Sequence, residues 1–439
     1  MANETTTKGA AGLDPHVVTA ILDAVDAGFD RQIELTRALV MTPSLRGEEG
    51  PAQDFLAECF RARGYGVDRF PMDRAALARH PGGGRITEEH SDADIVVAHA
   101  GADGGKGRSL ILQGHVDVVP PGPRRLWSHP PFSARIDGDW LYGRGGGDMK
   151  AGCVANFACL DALACAGFAP DAPVVIQSVV EEESTGNGAL MTHLKGYRGD
   201  AVLIPEPEDE MLVRANVGVL WFSVTVSGSP AHVRAMETGK DAIGAAFGLI
   251  GALRELAADW NRRAREHPAF GEGPPPINLN IGRIEGGDWP SSVAGACRFD
   301  ARIAILPGTA AADAAAEIET CIRRAALAAG MGGNALPEVR WTGFFSEGYV
   351  LEPGSAAEAV LAEAHARAAG APLRSFNTFS YLDTRVYALY DKVPALCYGP
   401  LAENVHGPDE RVSIASIRRV TGAMALFVAR WCGLRPLPT

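Results

Sequence analysis

Short apolar segments alternate with amphipathic helical segments along the first half of the chain, and the alternation resumes near its end. Apolar runs typical of buried strands occupy residues 94–98, 110–113, 173–180 and 201–204. Helical spacing of apolar residues marks 16–40, 47–63 and 151–166. Strands that alternate with helices in this way predict an α/β layer built around a mostly parallel sheet.

The pattern changes after about residue 216. Strand-like segments occupy 219–226, 277–284 and 297–306, and helical segments occupy 241–260 and 310–328. Two strand–helix–strand passages of this kind predict a small α+β sandwich. The α/β pattern then resumes, with segments at 355–369, 395–398 and 413–431. A chain of 439 residues suits two domains. We therefore predict a first domain formed by 13–216 and 346–439, interrupted by a second, inserted domain at 217–345.

Composition and charge exclude several classes of protein. The net charge is −12 and no cluster of Lys and Arg forms a basic face, so we expect no nucleic-acid partner. No apolar run approaches the roughly 20 residues needed to span a membrane, so we expect no membrane partner. The eight cysteines are scattered singly, which predicts reduced, buried thiols and a cytoplasmic location. The first dozen residues lack a secretory signal and are predicted to be a disordered tail.

Side chains that can bind metals lie at five separate sites, each at or near the C-terminal end of a predicted strand or in the loop after it. They are His115 with Asp117, Asp148, the run Glu181–Glu183, Glu206, and His406. Ligands usually gather at this edge of an open α/β sheet. Each motif alone has a plainer interpretation, such as a core histidine, a solvated turn aspartate or a solvated acidic loop.

The residue types in these loops predict a particular class of metal. Asp117 is two residues from His115, so in extended chain it could hold the ring N–H that faces away from a bound metal. Three adjacent glutamates at the end of a buried strand repel one another, and a cation would relieve that cost. Mixed His and carboxylate ligands suit zinc, manganese or cobalt rather than calcium. The absence of Cys ligands argues against a structural zinc site.

Two glycine-rich segments fail as nucleotide-binding motifs. Residues 101–107 read GADGGKG, which is one residue short of a phosphate-binding loop and has no Ser or Thr after the lysine. Residues 143–147 read GRGGG, but Asp148 stands where a dinucleotide fingerprint needs its third glycine. We therefore expect no nucleotide cofactor.

The five loops follow one another, from residue 113 to residue 411, in an order that resembles a known family. It is the co-catalytic metallopeptidase family that includes carboxypeptidase G, acetylornithine deacetylase, succinyl-diaminopimelate desuccinylase and aminoacylase. The resemblance implies a zinc-peptidase-like catalytic domain with an inserted lid and dimerisation domain. It also implies hydrolysis of an amide bond in an N-acyl amino acid or small peptide.

The resemblance assigns a role to each ligand. It implies two divalent ions, with zinc expected and manganese or cobalt as alternatives. His115 and Glu206 would bind one ion, Glu183 and His406 the other, and Asp148 would bridge both.

Two further residues gain a role from the same resemblance. Asp117 would orient His115, and Glu182 would act as the general base toward a metal-activated water. Family members often have a cis peptide directly after the bridging aspartate, which predicts one between Asp148 and Met149. A slip of one residue within the glutamate run remains open.

The inserted segment carries two more candidate residues. His232, in Gly-Ser-Pro-Ala-His, resembles the lid histidine that helps to bind the scissile carbonyl, and Arg302 resembles the arginine that grips a substrate carboxylate. The resemblance implies a homodimer through this domain, and we predict that His232 acts on the site of the partner subunit. A surface histidine is the alternative.

Two loops depart from the family pattern, at Ser291–Val293 and at Phe379–Leu382 before Asp383. They shape the substrate pocket, so the substrate is not fixed by the resemblance. Cleavage of another C–N bond, such as that of an aryl amine or carbamoyl group, and non-catalytic binding of a metal or peptide remain alternatives.

Overall fold

The computed structural model describes residues 12–87, 89–102 and 105–438. The tail predicted for the first dozen residues falls almost wholly on 1–11, outside the described residues. The α-helices of the described chain are α1 (Pro15–Val40), α2 (Gly50–Arg61), α3 (Arg74–Arg79), α4 (Ala151–Cys165), α5 (Asn187–Leu194), α6 (Ala242–Arg263), α7 (Ala311–Ala328), α8 (Ala356–Ala369), α9 (Thr384–Val386) and α10 (Ile414–Cys432).

The strands are numbered in the same way. They are β1 (Gly66–Phe70), β2 (Ile95–Ala100), β3 (Leu110–His115), β4 (Arg135–Asp137), β5 (Trp140–Tyr142), β6 (Phe168–Pro170), β7 (Val174–Val179), β8 (Ala201–Ile204), β9 (Leu212–Asn216), β10 (Gly218–Ser227), β11 (Leu279–Gly286), β12 (Ala296–Ile305), β13 (Glu338–Ser346), β14 (Tyr349–Val350), β15 (Ser375–Thr378), β16 (Ala395–Cys397), β17 (Ala402–Glu403), β18 (Arg411–Ser413) and β19 (Leu434–Pro436).

The largest sheet has six strands in the order β1-β2-β7-β3-β8-β16. Strands β7, β3, β8 and β16 run parallel, while β1 and β2 pair antiparallel at one edge. Every residue of the four parallel strands is buried. Side chains on both faces are therefore covered, which explains why these strands read as continuous apolar runs rather than as alternating patterns.

Helices cover this sheet and form the main core with it. Helices α1, α4, α8 and α10 pack against one another, and α2 and α5 contact strands β2 and β7. Helix α4 is buried around almost its whole circumference, as expected for a helix enclosed by other helices and the sheet. The α/β class with a mostly parallel central sheet is thus confirmed.

A second sheet, of four antiparallel strands in the order β11-β12-β10-β13, is formed by a continuous stretch of chain. Helices α6 and α7 contact this sheet. Phe222, Phe299 and Ile303 lie in the core that the sheet forms with the helices. The other face is more polar and includes Trp221 and Arg302, which are only partly buried.

The chain enters and leaves this second sheet at neighbouring points. Strand β9 precedes β10, strand β14 follows β13, and β9 and β14 pair with each other. The second sheet therefore lies between two parts of the chain that contribute to the α/β layer, while the division into two domains stays a prediction. The boundaries at residues 217 and 346 themselves stay a prediction.

The structure adds strands that the sequence analysis did not predict. Strand β1 is mostly exposed and lacks an apolar run, and β13 lies at an edge of the second sheet. The ends of the predicted strands and helices agree with the observed ones to within about three residues.

Two predictions drawn from composition can be compared with the structure. No helix in the described ranges is long and apolar enough to cross a membrane. All eight cysteines are free, and six of them are buried. Cys59 is only partly buried and Cys165 is exposed, so the prediction of buried thiols is wrong for Cys165.

Candidate metal centre

Three neighbouring parallel strands deliver candidate ligands to one edge of the central sheet. His115 is the last residue of β3, the glutamate run follows β7, and Glu206 follows β8. Strand β3 lies between β7 and β8 and runs parallel to both. Because parallel strands end at the same edge, side chains that are distant in sequence meet there.

The first ligand set consists of His115, Asp148 and Glu206. The His115 Nε2 atom lies 3.1 Å from Asp148 Oδ1 and 3.5 Å from Glu206 Oε1. Both carboxylate oxygens of Glu206 are buried and accept no hydrogen bond from a described residue. A buried carboxylate that accepts no hydrogen bond is unfavourable unless a cation is bound, so this set fits a metal ion.

The second ligand set consists of Asp148, Glu183 and His406. The His406 Nε2 atom lies 3.2 Å from Asp148 Oδ2 and 3.0 Å from Glu183 Oε1. Asp148 therefore belongs to both sets and offers one oxygen to each. All five sequence-predicted ligands are brought together in this way, in an arrangement that fits two ions bridged by one carboxylate.

The turn before α4 positions Asp148. Glu410 accepts hydrogen bonds from the backbone N–H groups of Gly147 (3.0 Å) and Asp148 (3.2 Å). The peptide bond between Asp148 and Met149 is cis, as the sequence analysis predicts. A Cβ atom at Gly147 would lie 2.7 Å from the Cβ atom of Ala402, so only glycine allows this close approach.

A buried ion pair links this turn to the loop that carries His406. Arg144 donates a hydrogen bond to the Glu410 carboxylate and another, of 3.1 Å, to the backbone carbonyl of Gly407. Arg144 and Glu410 are almost fully buried. The pair therefore holds the Asp148 turn and the His406 loop in one fixed relationship. The sequence analysis did not identify either residue.

Asp117 organises the chain around the first ligand set. Its carboxylate accepts hydrogen bonds from the backbone N–H groups of Glu182 (3.3 Å) and Glu183 (3.0 Å). The His115 Nδ1 atom lies 3.0 Å from the backbone carbonyl oxygen of Asp117 and 3.5 Å from its carboxylate. The predicted partner of His115 is thus present, but its closer contact is through the backbone.

Glu182 is buried beside the first ligand set. Its Oε2 atom lies 3.8 Å from His115 Nε2, and the residue lines the cavity described below. Glu182 belongs to neither ligand set, whereas Glu183 belongs to the second. This geometry leaves the Glu182 carboxylate free to face a bound substrate.

Burial and mutual repulsion shape the protonation of these groups in the chain without its ions. Burial raises the pKa of Glu206 to about 7 and that of Glu182 well above its usual range. The Glu183 carboxylate raises the pKa of His406 to about 11. Protons therefore offset the concentrated negative charge when no metal is bound, and divalent cations would replace them.

A cavity of about 620 Å³ opens over the ligands. It extends from the metal-ligand carboxylates to Arg302 and Asn280 of the second sheet. Arg302 donates a hydrogen bond of 2.9 Å to the backbone carbonyl of Phe379. It makes no salt bridge with any described residue, so its charge is available to an anionic group of a ligand.

The sequence-predicted residue His232 lies outside this cavity and belongs to neither ligand set. It is exposed, and its Nδ1 atom accepts a hydrogen bond of 3.2 Å from the backbone N–H of Arg234. It forms an isolated bridge with Ser292, in one of the loops that depart from the family pattern. Its predicted role in a partner's site stays a prediction.

Asp383 is a further buried group that sequence reasoning used only as a landmark. Its carboxylate accepts hydrogen bonds from Gln113 Nε2 (2.6 Å) and from the Tyr381 hydroxyl (2.9 Å). Burial raises the pKa of Asp383 to about 6. Gln113 is two residues before His115, which is the only sequence signal that links this group to the metal ligands.

Comparison with known proteins agrees with this geometry. The model of peptidase family M20/M25/M40 matches residues 111–430. Succinyl-diaminopimelate desuccinylase from Methylobacterium sp. (strain 4-46) is 29% identical over 422 residues, which cover 92% of this chain and 97% of that protein. N-formyl-4-amino-5-aminomethyl-2-methylpyrimidine deformylase from Halalkalibacterium halodurans is 26% identical, with coverage of 95% and 98%.

The fold is also similar to that of solved structures. The di-peptidase Dug1p from Saccharomyces cerevisiae superposes with a TM-score of 0.78 at 15% sequence identity, covering 95% of this chain and 99% of that one. At this identity the likeness concerns the fold alone. The family model, however, spans well over half of the chain and includes every ligand described above. The chain therefore belongs to peptidase family M20/M25/M40 and is a metal-dependent hydrolase of the C–N bonds of amides.

Proposed function

We propose that this hydrolase cleaves the amide bond of an N-acyl amino acid or small peptide, at a centre of two divalent ions. The observation that carries the proposal is the sharing of Asp148 between two ligand sets beneath one cavity. Glu182 lies in the same cavity wall without belonging to either set. The candidate metal ligands, the candidate base and the space for a substrate thus lie close together.

The ligand sets divide between the two ions. His115, Glu206 and one oxygen of Asp148 would hold one ion, and the other oxygen of Asp148 would hold the second with Glu183 and His406. We propose zinc, with manganese or cobalt as alternatives, because imidazole and carboxylate ligands suit these metals. Such ions polarise a carbonyl group and lower the pKa of water in the cleft.

Glu182 would move the proton during the reaction. Its buried Oε2 atom would accept a proton from the attacking water and then donate it to the leaving amine. Asp117 supports this role, because its carboxylate accepts a hydrogen bond from the backbone N–H of Glu182. This hydrogen bond fixes the backbone from which the Glu182 side chain extends.

Arg302 favours a substrate that carries a carboxylate. Arg302 lines the far end of the cavity, and its guanidinium has no carboxylate partner among the described residues. A planar guanidinium binds a carboxylate through two parallel hydrogen bonds. An N-acyl amino acid supplies both groups that the cavity recognises, the amide and the carboxylate. The relative named succinyl-diaminopimelate desuccinylase is consistent with this class.

A second candidate is cleavage of a different C–N bond, in an amide of an aromatic or heteroaromatic amine. The observation that favours it is the similarity to a protein named as a deformylase of an N-formyl aminopyrimidine. The same ligands and base would serve both reactions. Activity toward an N-formyl arylamine without activity toward N-acyl amino acids would select this candidate.

We further propose a homodimer through the inserted segment. Strand β11 lies at an edge of the second sheet, and most of its residues are exposed. The side chains of Phe247, Trp289 and Met236, in the same segment, are 62%, 67% and 58% exposed. An unpaired strand edge and exposed large apolar side chains are typical of surfaces that pair with another chain. A dimer would also give the exposed His232 a site to act on.

We propose a cytoplasmic location for the protein. None of its eight cysteines forms a disulfide, which is the usual state of thiols in a reducing compartment. Cell fractionation with an antibody to the protein would test the proposal, and recovery from a secreted fraction would contradict it.

Metal removal tests the proposed function most directly. Protein treated with a chelator, and shown by mass spectrometry to be metal-free, should not hydrolyse N-acetyl amino acids or dipeptides. Zinc, manganese or cobalt should restore hydrolysis as the metal content approaches two ions per chain. Full activity of the metal-free protein would contradict the proposal, as would inactivity toward every amide after reloading.

A further inference from the structure

Three aromatic rings form one wall of the cavity. Trp221, Phe344 and Tyr381 all line it. The rings of Trp221 and Phe344 meet edge to face with centroids 5.2 Å apart, and those of Phe344 and Tyr381 lie 4.4 Å apart at 38°. Such a row of rings presents an apolar surface in a cavity whose metal-ligand end is strongly acidic.

The backbone provides the space for these rings. A Cβ atom at Gly343 would lie 2.6 Å from the Cε3 atom of Trp221, and one at Gly186 would lie 1.9 Å from the Tyr381 hydroxyl. Both glycines have positive φ, of +67° and +69°. The Tyr381 hydroxyl also donates a hydrogen bond to Asp383, which fixes its ring. The wall is therefore formed before any ligand binds.

The aromatic wall lies next to the residue that we propose for carboxylate binding. Trp221 and Arg302 are directly opposite each other on the paired strands β10 and β12, and Asn280 is opposite Arg302 on β11. Side chains in such pairs have Cβ atoms about 4.5–5.5 Å apart. A substrate whose carboxylate contacts Arg302 would therefore have the indole of Trp221 within reach of the substituent on the neighbouring carbon.

Packing alone does not account for Trp221. Phe344 and Tyr381 are buried, at 5% and 7% exposure, but Trp221 keeps part of its surface open on the polar face of the sheet. A partly open indole at the cavity wall, backed by two fixed rings, offers a surface on which a planar apolar group can stack or meet edge to face.

We propose that this wall is a subsite for an aromatic ring on the amino-acid part of the substrate. The enzyme would then prefer N-acyl derivatives of phenylalanine, tyrosine or tryptophan over those of small amino acids. This inference rests on the proposed function, because it assumes that the carboxylate binds Arg302 and the amide lies over the metal ligands.

The first test compares the kcat/KM values of N-acetyl-phenylalanine and N-acetyl-alanine. Wild-type protein should prefer the phenylalanine derivative by about tenfold or more, the effect expected when an apolar pocket is filled rather than empty. Trp221→Leu should lose most of this preference. Trp341→Leu is the matched control, because Trp341 pairs with Phe222 and so lies on the helix-covered face of the same sheet.

A binding measurement separates recognition from catalysis. Metal-loaded Glu182→Gln protein should show a larger rise in Tm with N-acetyl-phenylalanine than with N-acetyl-alanine at equal concentration. The double variant, with both Glu182→Gln and Trp221→Leu, should show the same rise in Tm with the two ligands. If Trp221→Leu shows no cooperative unfolding transition, Phe344→Leu takes its place, and the substrate preference of the wild-type protein decides in any case.

The outcomes distinguish this inference from the function on which it rests. Hydrolysis of both substrates with equal kcat/KM would overturn the aromatic subsite and leave the proposed function intact. Failure to hydrolyse any N-acyl amino acid would overturn the proposed function itself. A preference for N-benzoyl-glycine over N-acetyl-glycine, without a preference for phenylalanine over alanine, would place the ring on the acyl side and overturn the inference as stated.

Discussion

Glu182 and Glu183 are adjacent in sequence but have different neighbours. Glu183 Oε1 lies 3.0 Å from His406 Nε2, while Glu182 Oε2 lies 3.8 Å from His115 Nε2. The Asp117 carboxylate accepts hydrogen bonds from the backbone N–H groups of both residues. It therefore fixes the backbone of the two glutamates together, relative to the other ligands. This geometry supports the assignment of Glu183 as a ligand and of Glu182 as the base.

The assignment predicts opposite effects for two equivalent substitutions. Glu182→Gln should keep both ions but lower kcat by at least about 10²-fold, the usual contribution of a general acid–base group. Glu183→Gln should lose part of the bound metal. Metal content by mass spectrometry and kcat should be measured on the same samples. Retention of both ions together with loss of turnover in Glu183→Gln would show that the register is wrong by one residue.

Glu410 is expected to act through the residues that it positions. Its carboxylate accepts hydrogen bonds from two backbone N–H groups of the Asp148 turn. It also pairs with Arg144, which donates a hydrogen bond to the backbone of the His406 loop. Glu410→Gln should weaken metal binding by about 10–100-fold, as found for residues that support metal ligands. Competition with a chromophoric chelator would measure the change.

Glu403→Gln is the matched control for Glu410→Gln. Glu403 pairs with Arg411 near the surface, and no hydrogen bond of the described chain joins its side chain to the Asp148 turn. Its substitution should leave metal affinity unchanged. Equal metal affinity in Glu410→Gln and wild-type protein would contradict the positioning role.

The site could be predicted from sequence only where its residues follow recognisable elements. The five ligands lie in loops of the α/β pattern, so their convergence could be inferred. Glu410 and Asp383 could not be assigned, because their partners are 263 and 270 residues away in sequence. Nothing local marks Glu410 as a partner of the Asp148 turn, or Asp383 as a partner of Gln113.

At the scale of elements, burial decided which strands could be predicted. The parallel strands of the central sheet are apolar because both of their faces are covered, and the sequence shows them plainly. Strand β1 is exposed at the edge of that sheet and was missed. The antiparallel pairing of β1 and β2 was also not predicted, since hydrophobic patterning does not encode strand direction.

The close packing of Gly186, in the turn that follows β7, against Tyr381 can be tested by substitution. Gly186 and Gly196 both have positive φ, but only Gly186 has a neighbour within 4 Å of the position of a Cβ atom. Gly196→Ala should lower Tm slightly, through the left-handed conformation alone. Gly186→Ala should lower it further, because overpacking adds about 1–3 kcal/mol. Equal Tm values for the two variants would show that Tyr381 can move away at no cost.

At the scale of the whole molecule, the cavity lies between the α/β part of the chain and the second sheet. Its metal ligands come from the α/β part, while Trp221, Arg302 and Phe344 come from the second sheet. His232 belongs to the same second part but lies outside the cavity. A dimer in which each inserted segment reaches the other subunit would bring it to a metal centre.

Subunit mixing tests whether His232 acts across such an interface. His232→Ala and Glu182→Ala proteins should each be inactive, with losses of about 10²–10³-fold for the oxyanion donor. After exchange of subunits, a mixed dimer contains one site with both residues intact. Its activity should approach half that of wild-type protein. If native mass spectrometry demonstrates exchange and no activity returns, His232 does not act in trans.

The two ligand sets are unequally accessible, which has a consequence for how the protein acquires its metals. The His115 side chain has no exposed surface, whereas that of His406 is 51% exposed. The ion of the outer set should therefore exchange with the solvent faster than the ion of the inner set. A change in the metal supply of the surroundings would then reach the outer ion first and the inner ion more slowly.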